Sequence, residues 1–145
     1  MARAILRAAS RHQLTEDAAL AQGVPRRTFV PYWLPVLGYV SLIFVLSAQP
    51  GLQPPFHFQN ADKVCHMTEY GGLGVLLARA LNTLPRFRNL LAACLLAIAI
   101  GAAIAAADEV FQSTVPDRDP DVLDWVADTI GLSLAQVVYL WVRRP

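Results

Sequence analysis

The chain has 145 residues, of which 55% are hydrophobic and 16% are charged, and its mean hydropathy is +0.41. This composition is too apolar for an ordinary soluble domain, and the length suits one compact unit. The formal net charge of +1 conceals a strong segregation of basic and acidic residues along the chain. We therefore expect one membrane domain with the lipid bilayer as its partner, and we expect no nucleic-acid partner.

Residues 1–30 precede the first apolar run and are predicted to form a basic N-terminal cytoplasmic tail. Arg3, Arg7 and Arg11 recur at helical spacing, and Thr15 suits the N-cap of a second short helix. The tail is either an anchor for anionic lipids or a loosely ordered segment that only sets the topology. Residues 31–145 are then the membrane domain.

Four apolar runs follow, at residues 31–48, 64–81, 90–107 and 122–142. Each is close to the roughly 20 residues with which a helix crosses about 30 Å of hydrocarbon. The runs do not alternate with period two, as the strands of a membrane barrel would. The predicted fold is therefore an all-α integral membrane four-helix bundle, with short connections between antiparallel helices.

The basic residues predict the orientation of this bundle. Ten of the twelve belong to the same end of the four-span arrangement, and by the positive-inside rule that end is cytoplasmic. Only Lys63 and Arg118 belong to the other end, which also carries nine of the eleven acids. Both termini are therefore expected in the cytoplasm, and the acids at the outer face of the inner (plasma) membrane.

The connection after the first run contains Pro50, Pro54 and Pro55, which prevent a continued helix. His57 lies between two phenylalanines here. It is either a residue that touches a ligand or part of an aromatic loop at the level of the lipid headgroups.

The second run opens with unusual polar residues. Asp62, His66 and Glu69 stand at i, i+4 and i+7, so they form one stripe that reaches roughly 10 Å into the membrane. Lys63 and Tyr70 occupy neighbouring positions. His66 is either a satisfied structural imidazole or part of a site, and the glutamate one turn deeper supports the second interpretation.

The third run is almost entirely alanine and aliphatic residues, which predicts a central helix in close contact with its neighbours. It ends with Asp108, Glu109 and Gln112. Asp108 and Gln112 share a face at i, i+4, and antiparallel packing of the second and third helices would bring that face opposite His66 and Glu69.

The last connection and the fourth run complete the polar cluster. Pro116 makes the turn, and Arg118 either holds carboxylates in place or forms a fork for a phosphate or carboxylate on a ligand. Asp124 and Asp128 again share one face of a helix. Ionisable groups are costly inside a membrane, so this cluster indicates a site.

Taken together, these residues resemble the VanZ-like membrane proteins. The resemblance spans approximately residues 31–139 and rests on Ser47, Gln49 and Pro50, then on the patterns D-K-x-x-H-x-x-x-Y, D-E-x-x-Q, P-x-R and D-x-x-x-x-x-x-G. These begin at Asp62, Asp108, Pro116 and Asp124. The chain departs from the family at Asp128, where Asn is usual, which puts in doubt any role that needs a neutral amide.

The resemblance implies a four-helix envelope protein more firmly than it implies a reaction. The family takes its name from an accessory protein of glycopeptide resistance, associated with reduced susceptibility to teicoplanin. Most members lie outside resistance clusters, so resistance itself is not carried over to this chain, and a relation to glycopeptide susceptibility is left open.

Three functions are compatible with the cluster. The first is catalysis on, or binding of, a lipid-linked or phosphate-bearing envelope precursor, with His66 as general acid or base and Arg118 on an anionic group. In this hypothesis the catalytic set is His66, Glu69, Asp108, Glu109 and Asp124, and the substrate-binding set is Lys63, Tyr70, Gln112, Arg118 and Asp128. The second is a non-catalytic scaffold whose polar network is structural. The third, proton-linked transport, lacks support because no inverted repeat is present.

A divalent cation is compatible with the same carboxylates. Hard oxygen ligands favour magnesium, calcium or manganese, whereas one histidine without zinc-type ligand spacing does not identify a metal.

Overall fold

The computed structural model describes residues 26–143 except His57 and Arg88, with side chains from Phe29 onward. The predicted tail therefore lies largely outside the described residues, as does His57 with its two interpretations. Four helices make up the described fold, α1 (Arg26–Ser47), α2 (Ala61–Leu81), α3 (Leu90–Gln112) and α4 (Val122–Val142). The predicted all-α four-helix architecture is confirmed.

The helix ends differ from the predicted runs where polar residues continue the helical backbone. α1 begins at Arg26, ahead of the predicted run, and both Pro31 and Pro35 lie inside the helix. α3 continues past the apolar run to Gln112, so Asp108 and Glu109 are helical and buried. α4 begins after Asp121, whose carboxylate accepts a hydrogen bond from the backbone N–H of Leu123 at 2.8 Å.

Three of the described helices are long and apolar enough to cross a membrane. They comprise residues Phe29–Ser47, Leu90–Gln112 and Val122–Val142. α2 has a similar length but carries Asp62, Lys63, Glu69 and Arg79, and it is not among the three. The chain is thus a membrane protein in which the most polar helix needs the other three around it.

α2, and not the alanine-rich α3, is the most extensively packed helix. Its largest contact is with α4, and it also touches α1 and α3. Tyr70, Leu73 and Leu77 of α2 are fully buried. α3 buries one stripe through Ala93, Ala97, Gly101 and Ala105, while its other faces are more open. Small residues therefore mark one contact face of α3, and polar residues mark the helix at the centre.

α2 and α4 come into close backbone contact at Gly131. A Cβ atom placed on Gly131 would overlap the backbone carbonyl of Met67. Backbone atoms cannot yield in the way that the end of a side chain can, so only glycine permits this approach. The contact lies one turn below Asp128 and beside His66, and it fixes the spacing of the two helices at that depth.

The polar cluster lies at one end of the bundle. α1 and α3 end there, and α2 and α4 begin there, which we call the acidic end. The connections of residues 48–60 and 113–121 close it. Arg79 and Arg143 belong to the opposite ends of α2 and α4. The charge segregation of the sequence is therefore a segregation between the two ends of the molecule.

Candidate functional site

His66 of α2 faces α4 at the acidic end. Its Nδ1 lies 3.0 Å from Oδ1 of Asp128, and its Nε2 lies 3.9 Å from Oδ2 of Asp124. The Asp128 side chain is 1% exposed and the His66 side chain 15% exposed. A buried carboxylate at one ring nitrogen fixes the orientation of the imidazole and its tautomer. His66 thus contacts α4, whereas the sequence predicted that it would face α3.

Lys63 joins the first turns of α2 and α4. Its Nζ donates to Oδ2 of Asp121 and to Oδ1 of Asp124, both at 2.8 Å. A longer contact of 3.3 Å reaches Asp62 on the same helix. The Lys63 ammonium holds the pKa of the Asp121 carboxyl below its usual range. Since an ammonium has three N–H donors, Lys63 is fully committed to carboxylates.

Asp108 connects α3 to the end of α1. Its Oδ2 accepts hydrogen bonds from Ser47 Oγ at 2.8 Å and from Gln112 Nε2 at 3.0 Å. Gln112 Nε2 also lies 3.4 Å from Ser47 Oγ. Asp108 and Gln112 therefore have Ser47 of α1 as their direct partner on another helix, and not His66 or Glu69. Sequence reasoning noted Ser47 only in the family pattern and did not place it in the site.

Glu109 of α3 binds the backbone at the start of α4. Its Oε2 accepts a hydrogen bond from the backbone N–H of Asp121 at 3.1 Å. Asp121 is the N-cap residue of α4, so this bond fixes the end of one helix against the side of another. The second oxygen, Oε1, is buried and has no hydrogen-bond partner within the described residues.

Two more acids share this property. Oδ1 of Asp108 and Oδ2 of Asp128 are buried and without a partner among the described residues, as is the hydroxyl of Tyr70. Asp108 is 2% exposed, Glu109 9% and Asp128 0%. An unpaired buried carboxylate oxygen is costly, so a bound partner at these atoms would stabilise the acidic end.

His66, Glu109 and Asp128 also come close together. Each offers one ligand atom, and these atoms all lie within 4.8 Å of one another. Glutamate, aspartate and histidine are established metal ligands, so these three residues could hold a metal ion. The sequence named all three as site residues but did not group them.

Arg118 binds backbone carbonyls and thereby secures the loop between α3 and α4. Its Nε donates to the carbonyl of Gln49 and its Nη2 to that of Leu46, both at 3.2 Å. Within the described part of the chain Arg118 forms no ion pair. Arg118 thus makes no direct contact with a carboxylate within the described residues, and both roles considered for it stay predictions.

Two adjoining cavities open at the acidic end. The first has a volume of about 610 Å³ and the second of about 400 Å³, and both are lined by Asp62, His66, Gln112 and Arg118. The first extends along the loop past Phe56 and Phe58. The second is bordered by Leu46, Leu52, Pro55 and Cys65 and reaches Ser47 and Glu69. Glu69 and Gln112 thus line one cavity with His66, whereas Asp108, the other member of the face expected opposite His66 and Glu69, does not line it.

Besides Asp108 and Gln112, which bind Ser47, and Glu69, which lines the second cavity, the predicted residues separate into three groups. His66, Glu109, Asp124 and Asp128 converge between α2, α3 and α4. Lys63 and Arg118 mainly tie elements together, through carboxylates and carbonyls respectively. Tyr70 lies in the core with no exposed surface, so it contacts the site only from within the bundle.

The family model described as VanZ/LLP1 matches residues 10–143, which is nearly the whole chain. Neither the curated proteins nor the solved structures contain a significant match to the chain. The residues of the acidic end all lie within the matched range.

Proposed function

The chain belongs to the VanZ/LLP1 family, and from this premise we propose that it binds a lipid-linked, phosphate-bearing component of the cell envelope at its acidic end. In this proposal the protein is a multi-pass protein of the inner (plasma) membrane, and the acidic end faces the outer leaflet. The ten basic residues assigned to the other end support this orientation.

The pair of adjoining cavities is the observation that carries the proposal. The larger one presents mostly polar groups together with Phe56 and Phe58, whereas the smaller one is more apolar and adds Leu46 and Pro55 to its walls. Leu52 lines both. His66, Gln112 and Arg118 stand where the two meet. A ligand with a polar headgroup and an apolar chain fits this division, because each part meets a surface of its own kind.

Arg118 is the group proposed to meet the phosphate. Its hydrogen bonds to Gln49 and Leu46 use Nε and Nη2, and within the described residues Nη1 has no acceptor. The two carbonyl bonds hold the guanidinium plane still at the boundary of both cavities. A fixed guanidinium loses little side-chain entropy when it binds an anion, and it is well suited to phosphate.

His66 is the group proposed to move a proton if the bound component reacts. Asp128 holds Nδ1, and Nε2 is directed towards Asp124 at the cavity wall. This arrangement is the one in which an imidazole acts as a general base or acid on a hydroxyl or a water molecule. Glu69 lines the same cavity and would contribute to the local field.

The proposal is tested with a matched pair of ligands. Binding of a polyprenyl phosphate and of the corresponding polyprenol is measured on purified protein in detergent, by the rise in melting temperature with ligand concentration. We expect the phosphate to bind at least tenfold more tightly than the alcohol in wild type. Arg118→Met should reduce that preference, and equal affinities for both ligands in wild type would refute the proposal.

A structural scaffold is the second candidate, and the contacts of Lys63 and Arg118 favour it. Lys63 ties α2 to α4, and Arg118 ties the last loop to the end of α1. A scaffold predicts that His66→Gln and Glu69→Gln lower the amount of protein in the membrane. A binding site predicts that both variants accumulate normally and lose the phenotype that deletion of the protein causes.

A further inference from the structure

The acidic end contains more buried carboxyl groups than its cations contact. Asp108, Glu109 and Asp128 are each at least nine-tenths buried, and each has one oxygen without a partner among the described residues. Lys63 is committed to three other carboxylates, and Arg118 donates to carbonyls. His66 is the remaining basic group at this depth.

An ion can provide a partner where two of these acids, Glu109 and Asp128, come close to His66. The ligand atoms of His66, Glu109 and Asp128 lie within 4.8 Å of one another. Metal–ligand bonds of about 2.0–2.2 Å place two ligands on opposite sides of an ion roughly 4.2 Å apart. Small side-chain adjustments therefore close the three residues on one ion.

We propose that His66, Glu109 and Asp128 bind one divalent first-row metal ion of the Zn²⁺ or Mn²⁺ type. The free oxygens, Oε1 of Glu109 and Oδ2 of Asp128, are the carboxylate ligands. The imidazole decides between metals, because it is a good ligand for zinc and its neighbours and a poor one for magnesium or calcium. The carboxylates alone would have favoured magnesium, calcium or manganese.

The three ligands come from three different helices. His66 is on α2, Glu109 on α3 and Asp128 on α4, so the ion would hold the helices together at the acidic end. The bond from Glu109 Oε2 to the backbone of Asp121 orients this side chain before any ion binds. Such outer contacts position ligands and strengthen metal binding.

A bound ion would also make phosphate binding at an acidic site more favourable. A bound dication would offset the repulsion between the carboxylates and an anionic headgroup and would offer it a coordination position. This role in headgroup binding rests on the proposed function, whereas the metal site itself does not. With an ion bound, His66 is a ligand, so the proton-transfer role proposed for it above belongs to the ion-free protein.

The test measures metal binding without any lipid. The protein is purified in detergent with a histidine-free tag, stripped with EDTA and titrated with Zn²⁺, Mn²⁺ and Mg²⁺ by equilibrium dialysis. We expect one ion per chain for Zn²⁺ and for Mn²⁺, and affinity for Mg²⁺ at least tenfold lower. The electron paramagnetic resonance signal of free Mn²⁺ should fall in step with binding.

Single neutralising variants identify the ligands. Glu109→Gln and Asp128→Asn should each weaken Zn²⁺ binding at least tenfold. Asp119→Asn is the matched control, since it removes one nearby charge outside the cluster and should leave the affinity unchanged. Size-exclusion profiles and melting temperatures in EDTA show which variants are folded, and His66→Gln replaces any that is not.

Absence of saturable binding by wild type up to millimolar metal would overturn the proposal, and so would equal affinity in all folded variants. Failure of the phosphate preference is a separate outcome. Metal binding with no preference for polyprenyl phosphate supports the metal site and refutes the proposed function. A phosphate preference that survives EDTA, in protein that binds no metal, does the reverse.

Discussion

Nδ1 of His66 lies 3.0 Å from Oδ1 of Asp128, and this contact joins two helices across 62 positions of the chain. Asp128 is fully buried, so its contact with the imidazole replaces the hydration that its carboxylate has lost.

Two substitutions of Asp128 should distinguish the stability that its hydrogen bond contributes from the stability that its charge contributes. Asp128→Leu removes the acceptor of His66 and should cost about 3–5 kcal/mol of stability, the usual effect of breaking a buried pair. Asp128→Asn keeps an oxygen for Nδ1 and should cost about 1 kcal/mol or less, because it removes a charge without emptying the position. Denaturant titrations in detergent with EDTA present measure both, and equal losses would contradict the assigned contact.

Lys63→Met should destabilise the acidic end, because three carboxylates lose their cation. A double-mutant cycle with Asp124→Asn should give a coupling of about 0.5–3 kcal/mol, the range for residues in direct contact. No coupling would show that the two side chains act independently.

The contribution of Lys63 should also depend on pH. Its hydrogen bond lowers the pKa of Asp121 in the folded protein, so that contribution is present above the ordinary aspartate range. It is lost as the pH falls through the lowered pKa, when the carboxyl becomes protonated. The difference in melting temperature between wild type and Lys63→Met should therefore shrink at acid pH, and a difference that grows there would contradict the assignment.

Gly131→Ala should force α2 and α4 apart, since the added methyl group would overlap the carbonyl of Met67. Overpacking typically costs about 1–3 kcal/mol, and a backbone neighbour places this case at the upper end. Gly38→Ala in α1 is the matched control, because nothing lies within 4 Å of the new atom. The control should be neutral or gain up to about 1 kcal/mol from helix propensity. Similar melting temperatures for the two variants would be inconsistent with this helix contact.

Arg118→Lys should retain the positive charge but lose the planar arrangement of N–H donors that the guanidinium provides. A lysine ammonium lacks the fixed fork of donors with which the guanidinium reaches the carbonyls of Leu46 and Gln49, so we expect at least one of these bonds to be lost. We expect a loss of about 1 kcal/mol in stability together with a clear loss of phosphate preference. Full retention of both properties would indicate that only the charge of Arg118 matters.

The orientation of the bundle can be tested with a single cysteine. Gln59 lies exposed in the loop before α2, and Cys65 and Cys94 are both unpaired, so they can be replaced first. A membrane-impermeant maleimide should label a cysteine at position 59 in intact cells if the acidic end is outside. Labelling only after lysis would reverse the predicted topology.

The helices and the location of the acids were predictable from sequence, because apolar run length and charge segregation are properties of single segments. The bounds of α4 agree with the predicted run, and the acids from Asp108 to Asp128 do gather at one end. The partners within the cluster were less predictable, since they depend on how each helix is rotated about its axis. That rotation brings His66 into contact with Asp128 and Asp108 into contact with Ser47.

The central position of α2 was also missed, for a physical reason. Small residues in α3 indicated a buried helix, yet α3 uses them on one face only. Polar residues in α2 are tolerated because α1, α3 and α4 surround it. A sequence pattern of one helix does not reveal what covers its polar face, although Gly131 in the family pattern did mark a point of close backbone contact.

The polarity of α2 has a consequence for how the protein is made. A charged residue at the centre of a spanning helix costs about 2.5–3.5 kcal/mol on insertion, and Glu69 lies near the middle of α2, so α2 has a reduced tendency to enter the bilayer by itself as it leaves the ribosome. Its main contact is with α4, which is synthesised after it. We therefore expect α2 to settle in the membrane only after α4 has been translated, and truncation before Val122 should leave a nascent protein that quality-control proteases remove.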